Sequence, residues 1–331
     1  MSLDQWQIAL RREFGPAQNF SMRNVGTDPI FSDFIVENPE TGGRYKVAVR
    51  SDEPGTNYCS CPDFSTNTLG TCKHIEFVLS RLRKRRGAKK AFTEGCKTLY
   101  SSVTLRYGLS RKVVFKAGLE CPAELKSIAQ DYFDKEGVLK PEKFSIFDEF
   151  LKRASKVEHG LRCYEDAIQH IARVRDQANL SRAVDAVFGK NDGATFNSLL
   201  KVSLHPYQKK GALFAARAGR SIIADEMGLG KTVQAIAACE MLARLAGIER
   251  VLVVCPASLK HQWKSEIERF ADRPVTIVEG MPASRRTLYA AESFYKVVNY
   301  DLIYRDDEFI RQWTPDLIIL DEAQRIKNWK T

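Results

Sequence analysis

The sequence predicts an α/β protein with a small α+β unit at its front, a mixed and mostly helical middle, and a partial parallel-sheet lobe behind. Three observations predict it. From about residue 201, short apolar runs alternate with amphipathic stretches, as buried parallel strands and their covering helices require. Before residue 90, two runs flank a turn-rich stretch, as in a β-hairpin. Between these regions, aromatic and branched residues recur at helical spacing. A chain of 331 residues has room for two or three domains. The suggested boundaries are 1–90, 91–200 and 201–331.

The front unit starts with a short amphipathic helix over Trp6 to Phe14. Phe31 to Val36 and Arg44 to Arg50 then pair across Asn38-Pro39-Glu40-Thr41-Gly42-Gly43. In the middle, Val103 to Tyr107 and Lys112 to Lys116 pair across Gly108. Phe144, Phe147, Phe150 and Leu151 form one helical stripe, and Ile168, Ile171 and Val174 another. Both stripes read as core. In the last region the apolar runs are Ser221 to Ala224, Val251 to Cys255, Val275 to Val278, Lys296 to Val298 and Leu317 to Leu320.

Hydrophobic content of 44% and charged content of 28% are those of an ordinary globular protein. No stretch approaches the ~18 apolar residues of a membrane span, and Met-Ser-Leu-Asp-Gln-Trp lacks the basic start and apolar run expected of a signal peptide. The expectation is an intracellular protein without a membrane: cytoplasmic, nucleoid-associated in a bacterium, nuclear in a eukaryote. Eight cysteines in such a setting favour metal binding or burial over disulfides. The net charge is +10, and Arg81, Arg83, Lys84, Arg85, Arg86, Lys89 and Lys90 supply seven of those charges without an intervening acid. Such a focused patch suits a phosphate backbone, and equally a solvated helix end.

The tightest local pattern is Cys59-Ser60-Cys61, ten residues, then Cys72-Lys73-His74. Three thiolates and one imidazole suit tetrahedral Zn²⁺. Pro62, Asp63, Ser65, Asn67 and Gly70 let the intervening loop fold back. Ile75, Phe77, Val78 and Leu79 follow His74, so the second ligand pair opens a helix that packs on the hairpin. A structural zinc contributes on the order of 10–16 kcal/mol in small peptides, which a core this small cannot match. Chance burial of four such residues within 16 positions, paired at both ends, is the weaker reading. The C-x-C-x₁₀-C-x-H pattern resembles the SWIM zinc finger over roughly residues 35–85. That resemblance implies binding to DNA or to a protein partner, and the basic run favours nucleic acid. Cys96, Cys121, Cys163, Cys239 and Cys255 are scattered and carry no assigned role.

Ser221 to Ala224 reads as a buried strand that feeds Asp225-Glu226-Met227-Gly228-Leu229-Gly230-Lys231-Thr232. A helix then runs to about Leu245 and ends at Gly247. Strand, glycine-rich turn and helix make a phosphate-binding loop, in which the N–H groups of Met227, Gly228, Leu229 and Gly230 cradle phosphate. Lys231 reaches the β- and γ-phosphates of ATP, and Thr232 offers a hydroxyl to Mg²⁺. Asp225 stands where the generic pattern has glycine. Leu317 to Leu320 delivers Asp321 and Glu322 to the C-terminal end of a strand, where ligands bind in such sheets. Asp321 holds Mg²⁺ through water, and Glu322 activates the attacking water. Gln208, 23 residues before Lys231, offers one donor and one acceptor to adenine.

Together these segments resemble the superfamily 2 helicase-like motor (the DEAD/DEAH type) in its Swi/Snf-related branch. Val253-Val254-Cys255-Pro256-Ala257-Ser258-Leu259, with Gln262-Trp263 beyond, is similar to the family's segment touching the tracked DNA strand, and Val298-Asn299-Tyr300-Asp301 to the next. The resemblance covers residues 201–331 and implies a RecA-like lobe, DNA-dependent ATP hydrolysis and movement on double-stranded DNA. It makes Lys231, Asp321 and Glu322 catalytic. It makes Pro256 and Ser258 DNA contacts, and gives Gln324 a role in sensing the γ-phosphate. It also implies a second RecA-like lobe downstream with an arginine finger. Such a finger is worth roughly 10³–10⁵ in rate, so these residues alone are expected to turn over ATP very slowly. A sheet edge is expected to stay partly exposed where later strands belong. The alternative is a zinc-finger binding module whose ATP site is regulatory or vestigial.

Overall fold

A computed structural model describes residues 1–189, 193–226 and 228–326. The chain divides into two compact units, Met1–Arg175 and Asp176–Thr331, which share the suggested middle region 91–200. Among the described residues no helix is long and apolar enough to cross a membrane.

In the first unit, α1 (Leu3–Phe14) starts at a reciprocal cap: the Ser2 hydroxyl accepts from Gln5 N–H, and the Gln5 side chain accepts from Ser2 N–H. An antiparallel sheet follows, with β1 (Ser21–Asn24), β2 (Asp33–Glu37), β3 (Arg44–Ala48) and β4 (Tyr58–Cys59) adjacent in chain order. The expected hairpin is β2–β3, with Val36 opposite Tyr45. Alternation along β2 turns Phe34 and Val36 into the core. After α2 (Pro62–Thr66), α3 (Lys73–Arg83) brings Ile75, Val78, Leu79 and Leu82 to the same core. Next comes α4 (Ala88–Glu94).

A second core of this unit lies on β5 (Ser101–Arg106), which pairs antiparallel with β6 (Lys112–Lys116) and parallel with β7 (Leu161–Cys163). Against it pack α5 (Ala123–Tyr132), through Leu125, and α6 (Phe147–Ala154), through Phe147 and Phe150. In α7 (Glu165–Phe188), which contributes to both units, Ile171 is buried but Ile168 is 44% exposed, so that stripe is only partly core. One polar tie closes the unit. Arg50 donates through both terminal nitrogens to Asp166, at 3.0 and 2.8 Å, and Tyr107 Oη donates to the same carboxylate at 2.7 Å. The Arg50 guanidinium also lies 4.4 Å from the centre of the Tyr164 ring.

The second unit opens on α8 (Gly193–Asn197), α9 (Pro206–Ala218) and α10 (Lys231–Ala246). Strands and helices then alternate: β8 (Val251–Cys255), α11 (Lys260–Phe270), β9 (Val275–Ile277), α12 (Pro282–Ala290), β10 (Tyr295–Asn299), α13 (Tyr300–Arg305), α14 (Asp307–Trp313) and β11 (Leu317–Leu320). The sheet is parallel, in the order β11-β8-β10-β9. β8 is buried throughout, which is why it reads as an unbroken apolar run.

Ser221 to Ala224 does not form the expected strand. It is irregular, and Ile222 is 84% exposed. A short apolar run becomes a strand only where a ladder accepts it, and among the described residues β11 pairs with β8 alone. The other edge of β11 is open among the described residues, with Ile318 and Leu320 exposed.

Candidate functional site

The glycine loop is shaped by two backbone positions. Gly228 and Gly230 have φ of 84° and 74°, the left-handed region that glycine enters without penalty. A Cβ at residue 230 would stand 2.6 Å from Gln208 Nε2. Among the described residues no side chain caps the start of α10, so the amides of its first turn and the positive end of its dipole are left for an anion. Lys231 Nζ donates to the carbonyls of Asp225 and Glu226 at 3.0 and 3.2 Å, which lays the ammonium over the loop. Thr232 follows in the same turn. Leu229 is exposed, and Met227 lies outside the described residues.

Gln208 is buried at the start of α9. Its Oε1 accepts from His205 N–H at 3.0 Å, and its Nε2 donates to the Leu229 carbonyl at 3.4 Å. Asp225 accepts from Gln234 Nε2 at 2.7 Å, which ties the loop to the second turn of α10. An open groove of about 550 Å³ borders the loop, lined by Tyr207, Phe214, Ile222, Asp225, Leu229 and Gln234.

Asp321 and Glu322 leave the C-terminal end of β11, as that strand's position predicts. Asp321 N–H donates to the Val254 carbonyl at 2.8 Å, and its own carbonyl accepts from Tyr300 Oη at 2.6 Å. Its carboxylate accepts from Trp263 Nε1 at 2.8 Å and from Glu322 N–H at 3.0 Å. Glu322 sits at φ 52°, a strained position for a side chain of its size, and its carboxylate accepts from Gln324 Nε2. Cys255, at the end of β8, has its thiol pushed up to about 11, first by burial and then by the charge of Asp321. Among the described residues no hydrogen bond joins this cluster to the Lys231 loop.

In the first unit Cys59, Cys61, Cys72 and His74 meet. Their ligand atoms all lie within 4.8 Å of one another, and all four residues are buried. His74 Nδ1 is 3.9 Å from both Cys59 Sγ and Cys72 Sγ. Tetrahedral zinc, with bonds of ~2.0–2.3 Å, sets its donors about 3.5–3.8 Å apart, so the two 3.9 Å separations come close to that spacing and the donor set suits the ion. β4 carries Cys59, Cys61 caps α2 by accepting from Phe64 N–H, and Cys72 precedes α3. The imidazole lies between Phe20 and Tyr45, with ring centroids 5.1 and 4.6 Å away. Contact with Cys61 holds the Cys59 thiol above its ordinary range, burial raises Cys72, and bonding from Cys59 lowers Cys61. Three sulfurs this close cannot all be thiolates without a cation among them.

The basic run occupies the end of α3 and the start of α4. All seven of its basic residues are exposed, although Arg83 pairs with Asp52 and Arg85 donates to the Pro29 carbonyl. Pro256 is buried and Ser258 exposed in a single 3₁₀ turn between β8 and α11.

A family model of the SNF2-related domain matches residues 120–331, well over half of the chain. The chain belongs to the SNF2-related family. Among its curated relatives is the Chromatin-remodeling ATPase INO80 of Sclerotinia sclerotiorum, 35% identical over 156 residues, which are 40% of this chain and 9% of that protein. The INO80 protein of Drosophila melanogaster is 35% identical over 147 residues, 39% of this chain and 9% of its own. The SNF2-related chain therefore spans about a tenth of the length of these relatives. A solved structure, the Sulfolobus solfataricus SWI2/SNF2 ATPase core in complex with dsDNA, is 31% identical, with a TM-score of 0.37 over 40% of this chain and 29% of that one.

Sequence reasoning gives no role to Gln234, and places Trp263 and Tyr300 only in segments similar to DNA-contacting ones. All three meet residues of the candidate site. The available signal is polarity in the wrong place: Gln234 is buried on α10, and the indole nitrogen of a buried Trp needs an acceptor.

Proposed function

We propose that this SNF2-related chain is the nucleotide-binding part of an ATP-dependent motor that moves along double-stranded DNA and remodels what is bound there, with a structural zinc in its front unit. The observation that carries the reading is the glycine-turned, uncapped start of α10 with Lys231 lying over the loop carbonyls. Triphosphate bound there trades those two carbonyls for phosphate oxygens at Lys231 Nζ. Gly228, Leu229 and Gly230 contribute backbone N–H groups, and Gln208 reads adenine by giving up its long bond to Leu229. Thr232 and Asp321 are the hard oxygen donors that Mg²⁺ takes, and the ion when bound offsets charge on the phosphates. Glu322 accepts the proton of the attacking water. Gln324, bonded to Glu322, reports on the γ-phosphate.

Membership of the SNF2-related family, and the chromatin-remodelling activity in the relatives' name, support the remodelling half of the reading. A second RecA-like lobe completes the motor. Pro256 and Ser258 meet one DNA strand. Cys59, Cys61, Cys72 and His74 hold zinc in a SWIM-type module, and the exposed basic run beside it meets the phosphate backbone. The protein then works where DNA is, in a nucleus or nucleoid.

The test is binding of a fluorescent ATP analogue with Mg²⁺. The wild-type chain is expected to bind, and Lys231→Ala to weaken binding at least tenfold. Equal binding by both proteins, or none by either, overturns the nucleotide reading. Duplex DNA binding that weakens steeply with salt supports the basic run as its contact. Salt-independent binding removes that assignment and leaves a protein partner for the module.

A further inference from the structure

We propose that Trp263 is a positioning residue that fixes the Asp321 carboxylate for its metal ion. The inference rests on the nucleotide reading above and deepens it.

Asp321 is held at every polar point. Val254 on β8 takes its N–H, Tyr300 gives to its carbonyl, and the two carboxylate oxygens are divided between Glu322 N–H and Trp263 Nε1–H. Among the described residues, only the Trp263 bond reaches the carboxylate from another element, α11, 58 residues away in sequence. An indole nitrogen donates and never accepts, and its bond to a carboxylate is charge-assisted. Trp263 is itself 4% exposed within the core of the unit, so its ring has no freedom to follow a turning carboxylate. Rotation of the Asp321 side chain would break both bonds and leave the indole N–H unpaired in that core. One lone pair on each oxygen is thereby committed inward, and the remaining two are presented at the end of the sheet. That is what an outer partner does for a metal-binding carboxylate, and removing such partners typically weakens metal binding about 10–100-fold.

A purely structural Trp263 would fill space and satisfy its own nitrogen, without bearing on the metal. Two substitutions separate these roles. Trp263→Phe keeps most of the ring and deletes the donor. Trp263→His packs worse and keeps an N–H. In the full 331-residue chain, binding of a fluorescent ATP analogue is measured in buffer freed of Mg²⁺ by desalting, with no chelator, and then across a Mg²⁺ titration. Trp263→Phe is expected to bind without Mg²⁺ within about twofold of wild type and to require roughly tenfold more Mg²⁺ for the tight complex. Trp263→His is expected to fall between wild type and Trp263→Phe. Three results overturn the proposal: an unchanged Mg²⁺ requirement in Trp263→Phe, an equal loss with and without Mg²⁺, or a larger Mg²⁺ defect in Trp263→His than in Trp263→Phe. If wild type binds no nucleotide under either condition, the nucleotide reading itself falls. A Mg²⁺-dependent wild type beside an indifferent Trp263→Phe sinks only the role of Trp263.

Discussion

Arg285 grips Asp306 through Nε at 2.8 Å and Nη2 at 2.7 Å, while the Asp306 side chain has no solvent exposure. The pair joins α12 to the residue before α14, and Nη1 of the same guanidinium donates to the Gly280 carbonyl. Arg285→Ala strands a buried carboxylate, and the expected cost is about 3–5 kcal/mol. Replacing both residues with leucine is expected to cost far less, because no charge is left unpaired. Urea unfolding of the three proteins measures it, and a single variant no worse than the double one contradicts the account.

Gly211 permits the close approach of α9 to α10. A Cβ built there would stand 1.8 Å from Gln234 Oε1. Alanine has the better helix propensity by about 1 kcal/mol, yet Gly211→Ala is expected to destabilise by about 1–3 kcal/mol, because overpacking outweighs propensity. It should also disturb the Gln234–Asp225 bond and with it the glycine loop. A stability gain in thermal unfolding would show that the Gln234 side chain moves aside at little cost.

Metal removal should act on one region. A structural zinc worth ~10–16 kcal/mol exceeds what a core this small supplies. One equivalent of zinc per chain is expected, and a chelator should abolish amide protection in β2, β3 and α3 while β8 and β10 keep theirs. Cys72→Ser should reproduce this without a chelator. Full protection in the metal-free chain would mean that burial alone holds the module.

Lys296 gives the second unit an alkaline signature. It is buried in β10, donates to the Leu288 and Ala291 carbonyls at 2.8 and 2.6 Å, and has its ammonium lowered to about 8 by burial. The folded value lies below the unfolded one, so between pH 8 and 10.5 the unfolded chain binds more protons and stability rises with pH. Below pH 8 both states are protonated and the burial penalty is constant. The difference in slope between wild type and Lys296→Met should approach ~1.4 kcal/mol per pH unit. The comparison is made against the variant because buried Cys239 and Cys255, raised to about 12 and about 11, act with opposite sign from about pH 9, and Tyr289 and Tyr295, both raised, from about 10. Parallel profiles for wild type and Lys296→Met would refute the assignment.

What could be read in the sequence was what is local. The β2–β3 hairpin, β8, the start of α10 at Lys231 and the meeting of Cys59 with His74 each depend on residues close in the chain. The Trp263–Asp321 and Arg50–Asp166 bonds span 58 and 116 residues, and no periodicity announces them. Ser221 to Ala224 shows the complementary failure. It shares the central Ile-Ile pair of Leu317 to Leu320, but among the described residues only the latter has a ladder to join. Gln208 was legible as a polar residue near the loop, while its use as the cap of α9 was not.

The Arg50–Asp166 tie has a consequence in time. The four Cys and His ligands emerge within 16 positions of one another, whereas Arg50 must wait for Asp166, 116 residues later. On a ribosome adding about 5–20 residues per second, that wait is roughly 6 to 23 seconds. Once His74 has been made, the four proposed zinc ligands are complete while Arg50 still waits for Asp166. On the zinc reading, the first unit is expected to mature in two steps during synthesis, and slowing translation between the codons for His74 and Asp166 should prolong the first.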